Sequence, residues 1–322
     1  MNLERLSVHD IPEIAPFLRT VWGASYGQHG IPLFSETYLR WLYGGPEANQ
    51  TVLLGARKDG RIVAVKALLG RELLIQGKPH PAYLSTHLAV DPTLALADRL
   101  ALISIADPHW LGSTLCAPSD VVYAFYDGQK PMAKRTEAYP AKFGFSRVFG
   151  TFSQMIAIPA LVNRQESPII ARPGTVDDGT AISALSREVT RRVSVSATLS
   201  PSRVVHHWFH APGAEVFVTE SPDGLTGACC VYELQIVRGA TATPVAILEG
   251  LLVSSPDAGI ALLREAIKYA QRIHAKGVVL ENASWLETPR TYGFAPSGRQ
   301  MQVVVMSRQP VDIGTSWMVD VK

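Results

Sequence analysis

Charge is scarce in this chain. Of its 322 residues only 18% are Asp, Glu, Lys or Arg, and 30 bases against 28 acids leave a formal net charge of +2, whereas soluble domains commonly carry about a quarter charged residues. Neither sign gathers into a block, so the footprint of a polyanion-binding surface is missing and nucleic acid is not an expected partner. The low charge points to surface hidden in an interface, between domains or between subunits. Cysteine is also sparse. Cys116, Cys229 and Cys230 make an odd count with two of them adjacent, which excludes a disulfide framework and fits a reducing compartment. Long apolar runs are absent as well. The run 244–248 is broken by Glu249, far short of the roughly 20 residues a membrane-spanning helix needs. The first ten residues hold acids and no apolar signal-peptide core, so the expectation is a cytoplasmic protein without membrane attachment.

What the chain has is repetition. Its length exceeds one ordinary core and suits two of about 150 residues. Arg5 and Asp10, ahead of an apolar-periodic segment, recur as Arg172 and Asp177, and Trp41 with Pro46 recurs as Trp208 with Pro212. The hairpin signal Asp59-Gly60 returns as Asp223-Gly224, and Glu72 to Gly77 is echoed by Glu233 to Gly239. Leu88-Ala-Val90 before Pro92 matches Leu251-Leu-Val253 before Pro256, and Phe143-Gly-Phe145 matches Tyr292-Gly-Phe294. Any single match is weak; their common order and nearly constant offset carry the argument. Two copies of one domain are expected, over residues 1–158 and 170–322, joined by the polar, proline-flanked stretch 159–173.

Each copy reads as helix, short helix, hairpin, strand, helix, strand, helix, strand, an α+β domain with a mixed, mostly antiparallel sheet flanked by helices. The first helix opens on Asp10-Ile-Pro-Glu13, a capping-box pattern. The strand 82–90 alternates so that Leu84, Thr86, Leu88 and Val90 fall on one face. A helix follows from about Ala97 to Ala106, and its counterpart runs from Ile260 to about His274.

This order of elements resembles the GNAT superfamily of acyl-CoA-dependent N-acyltransferases, with a three-layer α/β fold in tandem. The motifs are an R-x-x-x-x-D start (Arg5, Asp10), a D-G hairpin, a strand ending Val90-Asp-Pro92, a loop and helix, and a closing G-F (Phe143-Gly-Phe145, Tyr292-Gly-Phe294). The likeness covers about residues 3–308. It implies a co-substrate, acetyl-CoA or another acyl-CoA, and no metal. Its pantetheine arm would lie between splayed fourth and fifth strands, and its pyrophosphate at the next helix start, where unpaired N–H groups favour an anion. The resemblance then assigns acyl-CoA binding to Leu88, Ala89, Val90, Ala95, Leu96, Ala97, Asp98, Arg99 and Gln129. The acceptor would be a small-molecule or peptide amine attacking the thioester directly, with a base to take its proton and a Tyr to protonate the thiolate.

The departures are informative. The family loop R/Q-x-x-G-x-G/A keeps its length in copy one, but both glycines are gone and Ala95 and Ala97 stand near their places. Copy two passes from Pro256 to Ile260 in four residues, so its phosphate loop is shortened, and copy one is the expected CoA domain. Copy one also carries extra residues near 107–118. The Tyr of Y-x-x-x-G-F is replaced by Pro140, beside Tyr139, and by Pro289 in copy two.

His87 is the candidate base, since an imidazole titrating near about 6.5 suits an ammonium group; the alternative is a strand histidine in a polar layer. Thr86 and Tyr83 are lesser candidates on the same strand. Tyr139 is the candidate general acid. Glu249, an acid in an apolar run of copy two, is either a base, an ammonium partner or a paired structural residue. His206 and His210 are four apart on a helix, but no glutamate or further ligand accompanies them, so no metal is expected. Trp22, Trp41 and Tyr43 read as core, with lining of the acyl or acceptor channel as the alternative. The leading function is a tandem acyltransferase whose first copy binds acyl-CoA and whose second shapes the acceptor site. A non-catalytic acyl-CoA-binding protein is the alternative, near-neutral charge argues against an aminoacyl-tRNA donor, and the sequence is compatible with a homodimer.

Overall fold

A computed structural model describes residues 3–26, 30–102, 117, 120–127, 146–162, 166–281 and 292–318. The first half contains β1 (Leu3–Leu6), α1 (Ile11–Tyr26), β2 (Ile31–Pro32), α2 (Glu36–Tyr43), β3 (Val52–Lys58), β4 (Arg61–Ile75) and β5 (Lys78–Val90), then α3, described over 96–102, β6 (Val121–Asp127) and β7 (Ser146–Ala157). The second contains β8 (Arg172–Pro173), α4 (Gly179–Val189), β9 (Val195–Ala197), α5 (Pro201–Val204), β10 (Glu215–Ser221), β11 (Gly224–Arg238), β12 (Thr241–Val253), α6 (Pro256–Arg272), β13 (Val278–Leu280), β14 (Phe294–Ser307) and β15 (Trp317–Met318).

The hairpins form where the turn residues demand them. Asp59 and Gly60 both take positive φ (52° and 78°) between β3 and β4, and Gln76 and Gly77 do so (50° and 74°) between β4 and β5. Two positive φ values give the turn whose twist matches antiparallel strands. In the second half, Asp223-Gly224 joins β10 to β11, and Gly239 (φ 56°) lies in the β11–β12 turn.

The helix starts differ from expectation in register. The first capping box is Ser7 with Asp10, not Asp10 with Glu13: Ser7 N donates to Asp10 Oδ2 at 2.8 Å, and His9 N donates to Ser7 Oγ at 3.2 Å. Its counterpart is Thr175 with Asp178, so Asp178 rather than Asp177 is the equivalent acid. Asp10 is paired by Arg57 from β3 (2.8 Å), which also reaches Glu4 and Glu13, while Asp178 is paired by Arg172 (2.9 Å). Both acids serve a cap and an ion pair, and hydrogen bonding to those groups lowers their pKa values.

The strands form one sheet in the order β1-β3-β4-β5-β6-β14-β7-β13-β12-β11-β10-β8. Within each half neighbours are antiparallel until β5 meets β6 and β12 meets β13, which are parallel. At the centre the halves trade strands. β14, from the second half, pairs with β6, and β7, from the first, pairs with β13, while β7 and β14 pair with each other.

Further contacts join the halves. β2 pairs with β11, and β9 pairs with the end of β4. Trp41 Nε1 donates to His206 O (3.0 Å), and His206 Nε2 lies 2.9 Å from Trp41 O. Glu47 sits 3.7 Å from His207 and 4.0 Å from Arg203, both almost fully buried. The scarce charges of this protein are thus partly spent inside. One core packs α1 and α2 on the first half of the sheet, around Ile14, Leu18, Leu42 and Val65. Another lies beneath α6, around Leu263, Ile267 and Leu248. Among the described residues no helix is long and apolar enough to cross a membrane.

Candidate active site

The β4–β5 ladder slips at one point. Ala67 pairs with Thr86 and Val65 with Ala89, so His87 and Leu88 together face Lys66. This is a β-bulge, and His87 has the left-handed φ of 54° that such a position requires. For a non-glycine residue that conformation costs on the order of 1–3 kcal/mol and persists only where surroundings enforce it. Here they do. His87 is buried, its Nδ1 is hydrogen-bonded to Tyr43 Oη at 2.8 Å, and the Phe34 ring lies 5.3 Å away. Trp22 Nε1 donates to Leu88 O at 3.1 Å. The bulge also breaks the expected alternation: Leu84 and Ala89 share the α1-side core, while Val90 packs with Leu94 and Leu102 on the other.

Below the bulge β5 pairs with β6 only through residues 82–84; β6 then continues against β14 while residues 85–90 stay with β4. The strands therefore splay, and a wedge opens between 85–90 and 124–127. Backbone amides along such an edge need partners, which an extended, amide-containing ligand can supply. Leu88, Ala89 and Val90 lie on the β5 edge of this wedge.

The chain then turns into α3. Asp91 folds back on Thr93, accepting from its N (2.8 Å) and Oγ1 (2.7 Å), and Leu94 is buried. Ala95 accepts the first helical bond, from Arg99 N at 3.0 Å, so it is the N-cap residue. Alanine has no side-chain acceptor, and the first-turn N–H groups of Leu96, Ala97 and Asp98 have no intrahelical partner. Arg99 Nε is buried without a hydrogen-bond partner among the described residues. Asp98 adds a carboxylate to the same turn. The strand, bulge and helix start thus bring His87 to Val90 and Ala95 to Arg99 into one continuous segment.

One predicted residue falls elsewhere. Glu249 lies on β12, where Ala228 pairs with Leu252 and Cys230 with Glu249, so Gly250 (φ 64°) and Leu251 form the matching bulge of the second half. Five strand steps separate β5 from β12, on the order of 20 Å along the sheet; Gly250 is thus the counterpart of His87, and Glu249, the counterpart of Thr86, lies in the other half. Tyr139 and Gln129 lie outside the described residues.

Electrostatics bear on roles. Burial holds the His87 pKa down to about 3, so the ring is neutral at ordinary pH and a feeble proton acceptor. Lys66, across from the bulge, was passed over in the sequence although it interrupts the apolar run 62–69; burial lowers its pKa to about 8. Trp22 and Phe34 are the bulge's other supports, and nothing in the sequence singles out Phe34. Among the described residues no three His, Cys, Asp or Glu side chains are placed to hold a metal.

No family model matches this sequence, and no curated protein matches it either. The likeness is three-dimensional. Saccharomyces cerevisiae N-myristoyltransferase with bound myristoyl-CoA aligns with a TM-score of 0.69 at 12% identity, over 98% of this chain and 83% of that one. A GCN5-related N-acetyltransferase from Anabaena variabilis aligns at 0.60 and 11% identity, over 96% and 73%. A probable N-acyltransferase from Enterococcus faecalis aligns at 0.55 and 12%, over 94% and 72%. The fold is thus the tandem GNAT fold, of the α+β class.

Proposed function

We propose that this protein is an acyl-CoA-dependent N-acyltransferase in which the first half binds the acyl-CoA and the second helps form the acceptor site. The observation that carries the reading is the bulge at His87–Leu88 with its splayed strands, leading directly into a helix whose N-cap is alanine. Pantetheine amides fit the wedge edge, and the pyrophosphate fits the open first turn of α3 with Arg99 beside it. The second half has the same bulge but a closed helix start. Ala258 N donates to Ser255 Oγ at 3.3 Å, and the Tyr292 ring lies directly on Gly259. The donor, acetyl or longer acyl, and the acceptor, small amine or peptide, are for assay to decide.

In this reading His87 shapes the bulge. The acceptor's proton leaves through water or another group. A second reading has one observation in its favour: with His87 so weakly basic, the wedge suits a non-catalytic acyl-CoA-binding protein. Thermal shift with acetyl-CoA and longer acyl-CoAs, followed by free-thiol release over a panel of amines, separates the two. Stabilisation with amine-dependent thiol release supports the enzyme, and stabilisation without it the binding protein. No response to any CoA species would sink both.

A further inference from the structure

A second space lies on the α1 side of the sheet, where β2 and β11 stitch the halves together through Ile31 with Val237 and Pro32 with Ile236. Its volume is about 780 Å³, within the range of roughly 300–1,000 Å³ usual for small-ligand sites. Arg19, Gly23 and Tyr26 line it from one face of α1, Leu33 from the segment after β2, and Val237 and Arg238 from the hairpin tip of the second half.

Both arginines are set in place. Arg19 Nη1 donates to Phe34 O at 2.6 Å. Arg238 lies flat against Gly30, where an added Cβ would stand 3.1 Å from its Nε; Gly30 has a φ of 80°. Among the described residues neither guanidinium forms an ion pair. Two like charges facing one cavity repel until an anion joins them, and guanidinium donors match the planar carboxylate.

Two chains of contact lead from this cavity to the bulge. The Tyr26 ring meets Trp22 at 5.7 Å, and Trp22 holds Leu88 O. Arg19 holds Phe34 O, and the Phe34 ring meets His87. The cavity is thus linked through Trp22 and Phe34 to the strand of the bulge, on the face opposite α3.

We infer that this cavity binds a small amine that also carries a carboxylate, an α-amino acid or close analogue. Arg19 and Arg238 hold the carboxylate, and Leu33 and Val237 cover the apolar part. That this ligand is the acceptor rests on the acyltransferase reading; the carboxylate site rests on the cavity. In the transfer the nitrogen forms an amide bond as the thioester C–S bond breaks. One ammonium proton ends on the CoA thiol, and a second passes to water.

The test is calorimetric titration of the full chain with the common α-amino acids, with their carboxamides, and with inorganic phosphate. Binding of at least one amino acid is expected, with its carboxamide and the variant Arg238→Gln each weakening it about tenfold or more. Arg238 is exposed, so this variant folds; its stabilisation by CoA in a thermal shift stays unchanged. No amino acid binding, or binding indifferent to Arg238→Gln, overturns the site. Phosphate binding alone overturns the carboxylate assignment. Amino-acid binding without thiol release from any acyl-CoA keeps the site and overturns the acyltransferase reading, whereas thiol release indifferent to Arg238→Gln keeps the enzyme and overturns the assignment of this ligand as its acceptor.

Discussion

The two bulges share a backbone and differ in how it is maintained. In the second half glycine adopts the left-handed conformation at no steric cost, and Trp208 presses against it so closely that a Cβ on Gly250 would stand 2.5 Å from the indole. In the first half a histidine is forced into the same conformation by Tyr43, Phe34 and Trp22. The helix starts diverge in the same direction. Ser255 and Tyr292 satisfy and cover the start of α6, whereas Ala95 leaves the start of α3 open. One half is closed on itself, and the other keeps strain and unsatisfied donors where a ligand would come.

The strongest way to break this comparison is at the helix starts. Ala97→Trp should abolish the thermal stabilisation by CoA. Gly259→Ala should leave it intact while lowering stability by about 1–3 kcal/mol, because the Tyr292 ring must move. The reverse result would move the nucleotide to the second half. Next in size is Gly250→Ala, expected to cost about 2–4 kcal/mol in urea unfolding through combined overpacking and backbone strain. His87→Asn should cost less, since Asn tolerates positive φ; an equal loss would show that the bulges are held alike.

His87 also predicts a pH dependence. Its folded-state pKa of about 3 lies below the unfolded value near 6.5, so the unfolded chain takes up the proton first and stability falls as pH drops from 6.5 toward 3. By pH 5 the loss from this group is about 2 kcal/mol. Urea midpoints at pH 7 and 5 should differ, and His87→Asn should shrink the difference. An unchanged difference would place the proton uptake elsewhere. The smallest effects concern the caps: Ser255→Ala should lower stability by about 1 kcal/mol, and Ala95→Ser should raise it slightly. Ala95→Ser should also weaken CoA binding several-fold by occupying a first-turn donor. Tighter binding would contradict the open-start reading.

Much of this was legible in the chain because the signals are local. Asp59-Gly60 and Asp223-Gly224 demand turns whatever surrounds them, and the short step from Pro256 to Ile260 announced a shortened loop, although α6 starts at Pro256, four residues before the expected Ile260. The capping box was misplaced by one turn because acids at 10 and 13 fit the same pattern, and only the hydrogen bonds to Ser7 distinguish them. The bulge was hidden because histidine stands where glycine would have announced it. Lys66 and the aromatic supports of the bulge were unreadable for a related reason: their importance lies in what faces them across the sheet. The distance between His87 and Glu249 was unreadable too, because the order of strands is set by pairing across the sheet and not by neighbours along the chain.

The traded strands bear on how the protein is made. Until Phe294–Ser307 has been synthesised, β6 has only the short pairing with β5, and β7 can meet β13 only after more than a hundred further residues have emerged. Pairings this distant along the chain are slow to form and leave strand edges exposed in the meantime. A cut between the copies should therefore yield two fragments that aggregate apart and regain structure only when refolded together.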